Sequence, residues 1–364
     1  MKLISILLRG RSLWIFLLLF TGCDEEIELP SNLSIQIENN NDGSGVVNVH
    51  ATAKNAAFFR IYFGEEPNTP IETTDGNATH TYGSSGSFQI VVMAYNSENK
   101  FVSTHQTVEV VVPLQIPQEG YTTPLSYAGM TLAWNDEFEG TSLKSSNWSH
   151  EIGTGSNGWG NNELQYYTSE NTTVNGGYLI ITAREESVGS NNYTSSRLIT
   201  KDKKSFRYGR VDIRAMLPKG QGIWPALWML GKNIGSVGWP KCGEIDIMEM
   251  IGGSGREKTV HGTLHWDNNG SYASYGGSYS LQSGIFADKF HVFSIVWTST
   301  TITWYMDDIQ YHVIDISPAE LSEFQNEFFF IFNVAVGGNW PQSPNNSTVF
   351  PQVMVVDYIR VFTP

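Results

Sequence analysis

Residues 243–250 have the sequence Gly-Glu-Ile-Asp-Ile-Met-Glu-Met, which places three carboxyl groups within a short apolar stretch. In a β-strand the side chains alternate between two faces, so Glu244 and Asp246 share one face and the isoleucines beside them share the other. Strict alternation would place Glu249 on the isoleucine face, where an unpaired buried carboxylate is costly. A β-bulge, most simply at Met248, returns Glu249 to the face of Glu244. The segment therefore predicts a bulged strand with three acids on one face.

Three acids on one face are compatible with several kinds of site. A solvated acidic edge, a metal site and a glycosidase centre all concentrate carboxyl groups, and the residues alone leave the three open. Glycoside hydrolysis needs a protonated carboxyl group that donates to the leaving oxygen and an ionised one that attacks or stabilises the sugar carbon. A third acid raises the pKa of a neighbour or orients it. With one residue in the bulge, Glu244 and Glu249 are four effective strand steps apart, which is about 13 Å along the backbone. Their side chains would therefore have to lean towards each other to act on one bond.

The composition favours a β-rich exported protein with a neutral ligand. The chain has 364 residues, of which 16% are charged and 13% aromatic, with a net charge of −14. Few charges and many aromatic residues argue against disorder. The negative net charge disfavours nucleic acids and sulfated polysaccharides as partners. We expect a monomer that binds a neutral polysaccharide.

The N-terminus has the features of a lipoprotein signal peptide. A basic flank precedes an apolar run over residues 12–21, which is too short to span a bilayer. The run ends in Phe20-Thr-Gly-Cys23, which resembles a lipobox, although an ordinary signal peptide is the alternative. We predict a signal peptide over residues 1–22, lipidation of Cys23 and anchoring in the outer membrane. The acidic residues 24–26 favour display on the surface of a Gram-negative bacterium, whereas in other lineages Asp after the Cys means inner-membrane retention.

The rest of the chain divides into two β-rich regions. After a polar spacer over residues 23–32, residues 33–112 contain short alternating strands separated by turn formers, which predicts a small immunoglobulin-like β-sandwich. Part of this region, residues 80–96, resembles the closing hairpin of PKD-type domains. Residues 113–130 are rich in Pro and Gly and predict a linker. Residues 131–364 are a long series of strand-like segments and predict one large all-β domain.

The acidic strand and seven further motifs together resemble glycoside hydrolase family 16, in particular its laminarinase-like members. The motifs follow the family order along residues 132–362. Besides Trp239-Pro-Lys-Cys-Gly-Glu-Ile-Asp-Ile-Met-Glu249, they are Trp134-Asn-Asp-Glu-Phe138, Gly160-Asn-Asn-Glu-Leu-Gln-Tyr-Tyr-Thr168, Arg207-Tyr-Gly-Arg210, Gly222-Ile-Trp-Pro-Ala-Leu-Trp228, His261-Gly-Thr-Leu-His-Trp266, Asn333-Val-Ala-Val-Gly-Gly338 and Val356-Asp-Tyr-Ile-Arg-Val361.

The resemblance implies a concanavalin A-like β-jelly-roll sandwich that carries a glycan cleft. It implies a retaining endo-β-1,3-glucanase that uses no cofactor, with Glu244 as nucleophile, Glu249 as acid/base and Asp246 as their helper. The inserted Met makes β-1,3-1,4 specificity less expected, because lichenase-like members have the shorter strand. A β-1,3-1,4-glucanase, a transglycosylase on the same fold and a non-catalytic glycan-binding lipoprotein remain alternatives.

Further residues are candidates for ligand contacts. Trp224 and Trp228 are two strand periods apart and could stack on sugar rings, although for Trp228 a place in the core is an equal alternative. The resemblance implies that Asn161, Asn162 and Arg197 bind glucose hydroxyl groups. His265 could reach the catalytic strand from a neighbouring strand or be a core histidine. The resemblance also implies a structural calcium ion near three residues, partly through backbone oxygens. These residues are Glu137, Gly177 and Asp357.

Overall fold

The computed structural model describes residues 28–364 except positions 41, 66, 84 and 98. The predicted signal peptide and Cys23 lie outside the described residues. Two compact units meet in the chain between Leu114 and Gln115. No helix in the described part of the chain combines the length and the apolar character that a membrane span requires.

The first unit is a small β-sandwich, as the alternating pattern predicts. One sheet has the strand order β1-β2-β5 and the other has the order β4-β3-β6-β7. Alternate residues such as Val47, Ile61 and Val92 are fully buried in one apolar cluster. The strands are β1 Ser31–Asn39, β2 Val46–Lys54, β3 Phe58–Tyr62, β4 Ile71–Thr73, β5 Asn77–Thr81, β6 Gly86–Ser97 and β7 Lys100–Val110.

The second unit is all-β apart from a few short helical turns. Its strands are β8 Thr131–Asp136, β9 Ser149–Glu151, β10 Gln165–Tyr167, β11 Thr172–Asn175, β12 Tyr178–Val188, β13 Asn191–Ser195, β14 Arg197–Ile199, β15 Gly209–Met216, β16 Ile223–Gly231, β17 Glu244–Glu249, β18 Thr259–Asn268, β19 Ser271–Ser280, β20 His291–Trp297, β21 Thr301–Met306, β22 Ile309–Asp315, β23 Phe328–Val336 and β24 Gln352–Thr363. The helical segments are α1 Ile234–Val237, a π-turn at Gly158–Asn162, and 3₁₀ turns at Arg256–Lys258 and Ala319–Gln325.

Two sheets of the second unit enclose one large core. The seven-stranded sheet has the order β19-β18-β17-β16-β23-β14-β9. The ten-stranded sheet follows the path β10-β13-β12-β24-β15-β20-β21-β22, with β11 paired to β12 and β8 paired to β24. Strand β23 shows how the sequence separates the faces, because Phe328, Phe330 and Phe332 enter the core between the sheets whereas Asn333 lies on the opposite side. The expected jelly-roll sandwich is confirmed.

The segment predicted as a linker, residues 113–130, does not remain a free connection. From Gln115 onwards it belongs to the second unit. The backbone of Gly120 pairs with Phe290, and the backbone N–H of the buried Thr123 donates to the hydroxyl oxygen of Tyr358 over 2.8 Å. A Cβ at Gly120 would lie 2.0 Å from the Phe290 carbonyl oxygen, so glycine is required there. Glycine at position 120 therefore allows close packing against Phe290.

Candidate active site

The predicted bulge is present in β17. Asp246 pairs with Trp228 of β16, but the next paired residue of β17 is Met248, opposite Leu227. The extra residue is therefore Ile247, one position before the predicted Met248. Both side chains are buried in the core, because two adjacent apolar residues can share the inner face across a bulge. Sequence alternation predicts the bulge but does not distinguish between these two neighbours.

The bulge brings Glu244, Asp246 and Glu249 to the outer face of the seven-stranded sheet. There they line a cleft with a volume of about 530 Å³. The cleft wall is largely aromatic, which suits the apolar faces of sugar rings. Its aromatic lining consists of Trp159, Trp224, Trp228, Trp239, Trp340 and Tyr272.

Glu244 has a hydrogen-bond donor on one side and a histidine on the other. The indole nitrogen of Trp239 donates to Glu244 Oε2 over 2.9 Å. His265 Nε2 lies 3.7 Å from Glu244 Oε1, and the two residues are directly opposite each other in the pairing of β17 with β18. The Glu244 side chain is still 17% exposed, so a substrate in the cleft can reach its carboxyl group.

Asp246 is the most enclosed of the three acids. Its Oδ2 is 2.9 Å from His265 Nε2, and its backbone oxygen accepts a hydrogen bond from Trp304 Nε1 over 2.8 Å. The other ring nitrogen of His265, Nδ1, lies 2.7 Å from the hydroxyl group of Tyr272. Asp246 therefore connects to the cleft through His265, which lies on the cleft wall and not in the core.

Glu249 has a different environment from Glu244. The indole nitrogen of Trp224 donates to Glu249 Oε1 over 3.0 Å. Its backbone pairs with Ala226 on one side and His261 on the other. Each end of the acidic strand is thus held by the N–H group of one tryptophan.

Burial raises the pKa values of all three acids, and the charges of neighbouring acids raise those of Glu244 and Glu249 further. Burial, reinforced by the charge of Asp246, raises the pKa of Glu244 to about 8. Burial and the charges of Asp246 and Glu244 raise the pKa of Glu249 well above its ordinary value. Burial also raises the pKa of Asp246. Because carboxylates that share a site cannot all ionise together, the raised pKa values of Glu244 and Glu249 favour a shared proton within the cluster.

Arg197 and Trp228 form a second group on the cleft wall. The Arg197 guanidinium lies 4.5 Å from the ring centre of Trp159 and 4.9 Å from that of Trp228. Its Nε donates to Glu151 over 2.6 Å. Trp228 Nε1 donates to the side-chain oxygen of Asn333 over 2.7 Å. Trp228 therefore lies in the cleft, not in the core, and its ring is fixed by two contacts.

The two candidate asparagines are in different places. Asn161 lines the cleft, and its amide donates to Glu163 over 3.2 Å. Asn162 is not among the residues that line the cleft. It adopts a left-handed backbone with φ of 56°, and its amide donates to Asn339 over 2.9 Å. Asn162 stabilises the loop that carries Asn161.

Several cleft residues were not selected from the sequence. Trp239 and Glu163 belong to the motifs that carry the family resemblance. Their positions near Glu244 and Asn161 in those motifs could have identified them as cleft residues. Trp340 and Tyr272 carry no such signal, because they come from segments distant in sequence. Trp340 meets Trp224 edge to face at 5.6 Å, and Tyr272 lies 5.3 Å from Trp239.

The residues expected around a calcium ion lie close together in the sheet, but their carboxylates are engaged. Asp357 lies between the part of β24 that pairs with β12 and the part that pairs with β8. Glu137 accepts two hydrogen bonds from Arg360, and Asp357 accepts one from Arg214 over 2.7 Å. These side chains do not fit a calcium site built on carboxylates. Gly177, in the turn before β12, offers only backbone oxygens.

Comparisons with known proteins agree with this geometry. The model of the glycosyl hydrolases family 16 matches residues 159–359, which include the whole acidic strand. The chain belongs to glycoside hydrolase family 16. It is therefore a glycosidase by family. A second model, for the β-glucan synthesis-associated proteins SKN1/KRE6/Sbg1, matches residues 67–244.

Individual relatives match about two thirds of the chain. A β-glucanase from Rhodothermus marinus is 42% identical over 245 residues, which are 64% of this chain and 84% of that protein. The clotting factor G alpha subunit of Tachypleus tridentatus is 41% identical over 64% of this chain, which spans only 34% of that protein's length. The catalytic domain of an endo-1,3-β-glucanase (laminarinase) from Thermotoga petrophila RKU-1 has a TM-score of 0.61 and 48% identity, covering 64% of this chain and 98% of that domain.

Proposed function

We propose that this family 16 glycosidase is a retaining endo-β-1,3-glucanase that cleaves internal bonds of laminarin-type β-glucan. The observation that carries the proposal is the bulged strand β17, which presents Glu244, Asp246 and Glu249 on the aromatic wall of one cleft. The similarity to a laminarinase catalytic domain over nearly its whole length supports the choice of substrate.

The raised pKa of Glu249 suits the role of general acid. In the first step the Glu249 carboxyl group transfers its proton to the glycosidic oxygen while Glu244 attacks the anomeric carbon. The glycosidic bond breaks, and a glycosyl ester forms on Glu244. In the second step the Glu249 carboxylate takes a proton from water, whose oxygen attacks the same carbon and releases Glu244.

The neighbouring groups prepare Glu244 for its role. The N–H group of Trp239 stabilises the ionised carboxylate, as does the nearby imidazole of His265 when it is protonated. The charge of Asp246 acts in the opposite direction and raises the pKa of Glu244. Its contact with His265 lets the pair share a proton, so we assign Asp246 a positioning and proton-balancing role.

The proposal is tested by incubating the full chain with laminarin and with barley mixed-linkage β-glucan, and by sizing the products over time. We expect laminarin to shorten quickly to oligosaccharides and the Glu244→Ser variant to be inert. Digestion of mixed-linkage glucan without attack on laminarin would contradict the substrate assignment. Products longer than the substrate would indicate a transglycosylase, and binding without cleavage would indicate a glycan-binding lipoprotein.

We also propose a cellular location for the protein and an accessory role for its first unit. Lipidation of Cys23 would anchor an exported monomer in the outer membrane, and a PKD-like first unit would act as a spacer. A structural calcium ion near Gly177 would depend on backbone oxygens, since Glu137 and Asp357 are paired with arginines. Metabolic labelling with palmitate, in the parent and in Cys23→Ala, tests the anchor.

A further inference from the structure

Three ligand atoms in the cleft have the spacing of a transition-metal site. One side-chain atom from each of Glu244, Asp246 and His265 lies within 4.8 Å of the other two. His265 Nε2 is 2.9 Å from Asp246 Oδ2 and 3.7 Å from Glu244 Oε1. Ligands of a tetrahedral zinc ion at bond lengths of about 2.0–2.2 Å are about 3.3–3.6 Å apart. The two contacts of His265 lie on either side of that range.

The chemistry of these ligands selects the kind of ion. Two carboxylate oxygens and one imidazole nitrogen suit Zn²⁺ or Cu²⁺, with a water molecule as fourth ligand. Calcium and magnesium instead require six or more oxygen ligands, which this group does not provide. His265 is also oriented as metal-binding histidines are, because Tyr272 holds its second ring nitrogen at 2.7 Å.

Charge and access also favour a cation. Among the residues that line the cleft, Glu163, Glu244, Asp246 and Glu249 are acidic, whereas Arg197 is the single Lys or Arg and already contacts Glu151. The side chains of Glu244 and His265 are 17% and 18% exposed, so an ion can enter from the cleft. The wall therefore attracts cations and leaves two of the three ligand atoms within their reach.

We propose that Glu244, Asp246 and His265 bind Zn²⁺ and that the bound ion inhibits glucan cleavage. Because the ion would occupy the carboxylate that attacks the sugar, metal and substrate would exclude each other. The inhibitory effect rests on the proposed function, but the binding of the ion does not. The site would make an exported glucanase sensitive to free zinc in its surroundings.

The test measures zinc binding by isothermal titration calorimetry on the full chain after chelator treatment and dialysis. We expect one Zn²⁺ per chain to bind at this site and Ca²⁺ not to bind there. His265→Gln should weaken this binding by roughly tenfold or more, since it removes a metal ligand. The matched control is His261→Gln, which changes a histidine on the same strand that packs against Trp340 at 5.0 Å and is not part of the group. It should leave zinc affinity unchanged.

Two further measurements keep the proposal falsifiable. Thermal melting shows whether His265→Gln is folded. If it is not, Tyr272→Phe replaces it, because this variant keeps all three ligands and should still weaken zinc binding by roughly tenfold. In steady-state hydrolysis of laminarin, Zn²⁺ should raise KM without lowering kcat.

The outcomes separate the two proposals. No zinc binding by the parent, or equal affinity in a folded His265→Gln, overturns the metal site whether or not laminarin is cleaved. Zinc binding that depends on His265, in a protein that cleaves no β-glucan, supports the metal site and contradicts the proposed function. Inhibition by zinc that laminarin does not relieve overturns the proposed mode of inhibition.

Discussion

Trp239 donates the hydrogen of its indole nitrogen to Glu244 Oε2 over 2.9 Å, although half of the Trp239 surface is open to solvent. A donor to a carboxylate favours its ionised form, and the nucleophile of a retaining glycosidase must be ionised to attack. Trp239 therefore offsets part of the rise in the pKa of Glu244 that burial causes.

Replacing Trp239 by Phe keeps an aromatic ring and removes this donor. We expect kcat on laminarin to fall roughly tenfold, because a hydrogen bond to a charged group contributes about 1.5–3 kcal/mol and this one is partly exposed. KM should change less than kcat. The control is Trp228→Phe, since that indole donates to the neutral amide of Asn333. An equal loss of kcat in both variants would show that the contact with Glu244 has no special role.

Glu249→Gln should stabilise the fold more as the pH rises. The pKa of Glu249 is higher in the folded chain than its ordinary value of 4.5, so the folded state binds a proton that the unfolded chain releases. Stability of the parent therefore falls as the pH rises above that value. We expect the gain in Tm of the variant to be small at pH 5 and larger at pH 8. Each kcal/mol added to the free energy of unfolding raises Tm by about 2–4 °C. Differential scanning calorimetry measures it.

The control for this prediction is Glu139→Gln, which changes an exposed carboxyl group of the same unit. Its change in Tm at each pH measures the effect of replacing a surface Glu by Gln, which is subtracted from that of Glu249→Gln. A gain for Glu249→Gln that is equal at pH 5 and pH 8 would contradict a raised pKa of Glu249.

Asp246→Asn should move the pH profile of kcat/KM to lower pH. The charge of Asp246 raises the pKa of both Glu244 and Glu249, after burial as the main cause. Without that charge Glu244 ionises at lower pH and Glu249 also loses its proton at lower pH. Both limbs of the profile therefore shift in the same direction. A profile that shifts to higher pH would contradict the assigned electrostatics.

Arg197→Lys tests the second group on the cleft wall. A guanidinium stacks between Trp159 and Trp228, whereas an ammonium group does not reproduce this planar contact. We expect kcat/KM on laminarin to fall roughly tenfold, mainly through KM, because an interaction of about 1–2 kcal/mol is lost. The exposed pair of Arg184 with Glu186 provides the control, since Arg184→Lys should have no effect. A fall in kcat alone would place Arg197 in the chemical step.

The acidic strand was the most predictable part of the site. Its alternation requires Ile245 and the acids to face opposite ways, and this constraint alone predicts a bulge before Glu249. The two-sheet architecture was implied by the family resemblance and not by alternation, since every residue of β23 is buried. The exact bulge residue did not follow, because Ile247 and Met248 are equally apolar.

Residues that reach the cleft from distant segments were not predictable from local pattern. Tyr272 and Trp340 approach the catalytic strand only because of sheet order and loop path. The resemblance implied a sugar contact for Asn162, but its backbone is left-handed and its amide donates to Asn339. The calcium expectation included backbone oxygens as well as the carboxylates of Glu137 and Asp357, whose arginine partners could not be identified from the sequence.

The assignment of Glu244 as nucleophile and Glu249 as acid/base is tested most directly by azide rescue. Glu244→Ala and Glu249→Ala are each incubated with azide and a β-linked laminaribioside that has an activated leaving group. The anomeric configuration of the glycosyl azide is then read by proton NMR. Our account predicts the α-azide from Glu244→Ala, by a single displacement, and the β-azide from Glu249→Ala, by attack on the ester at Glu244. The opposite pair of products would contradict it.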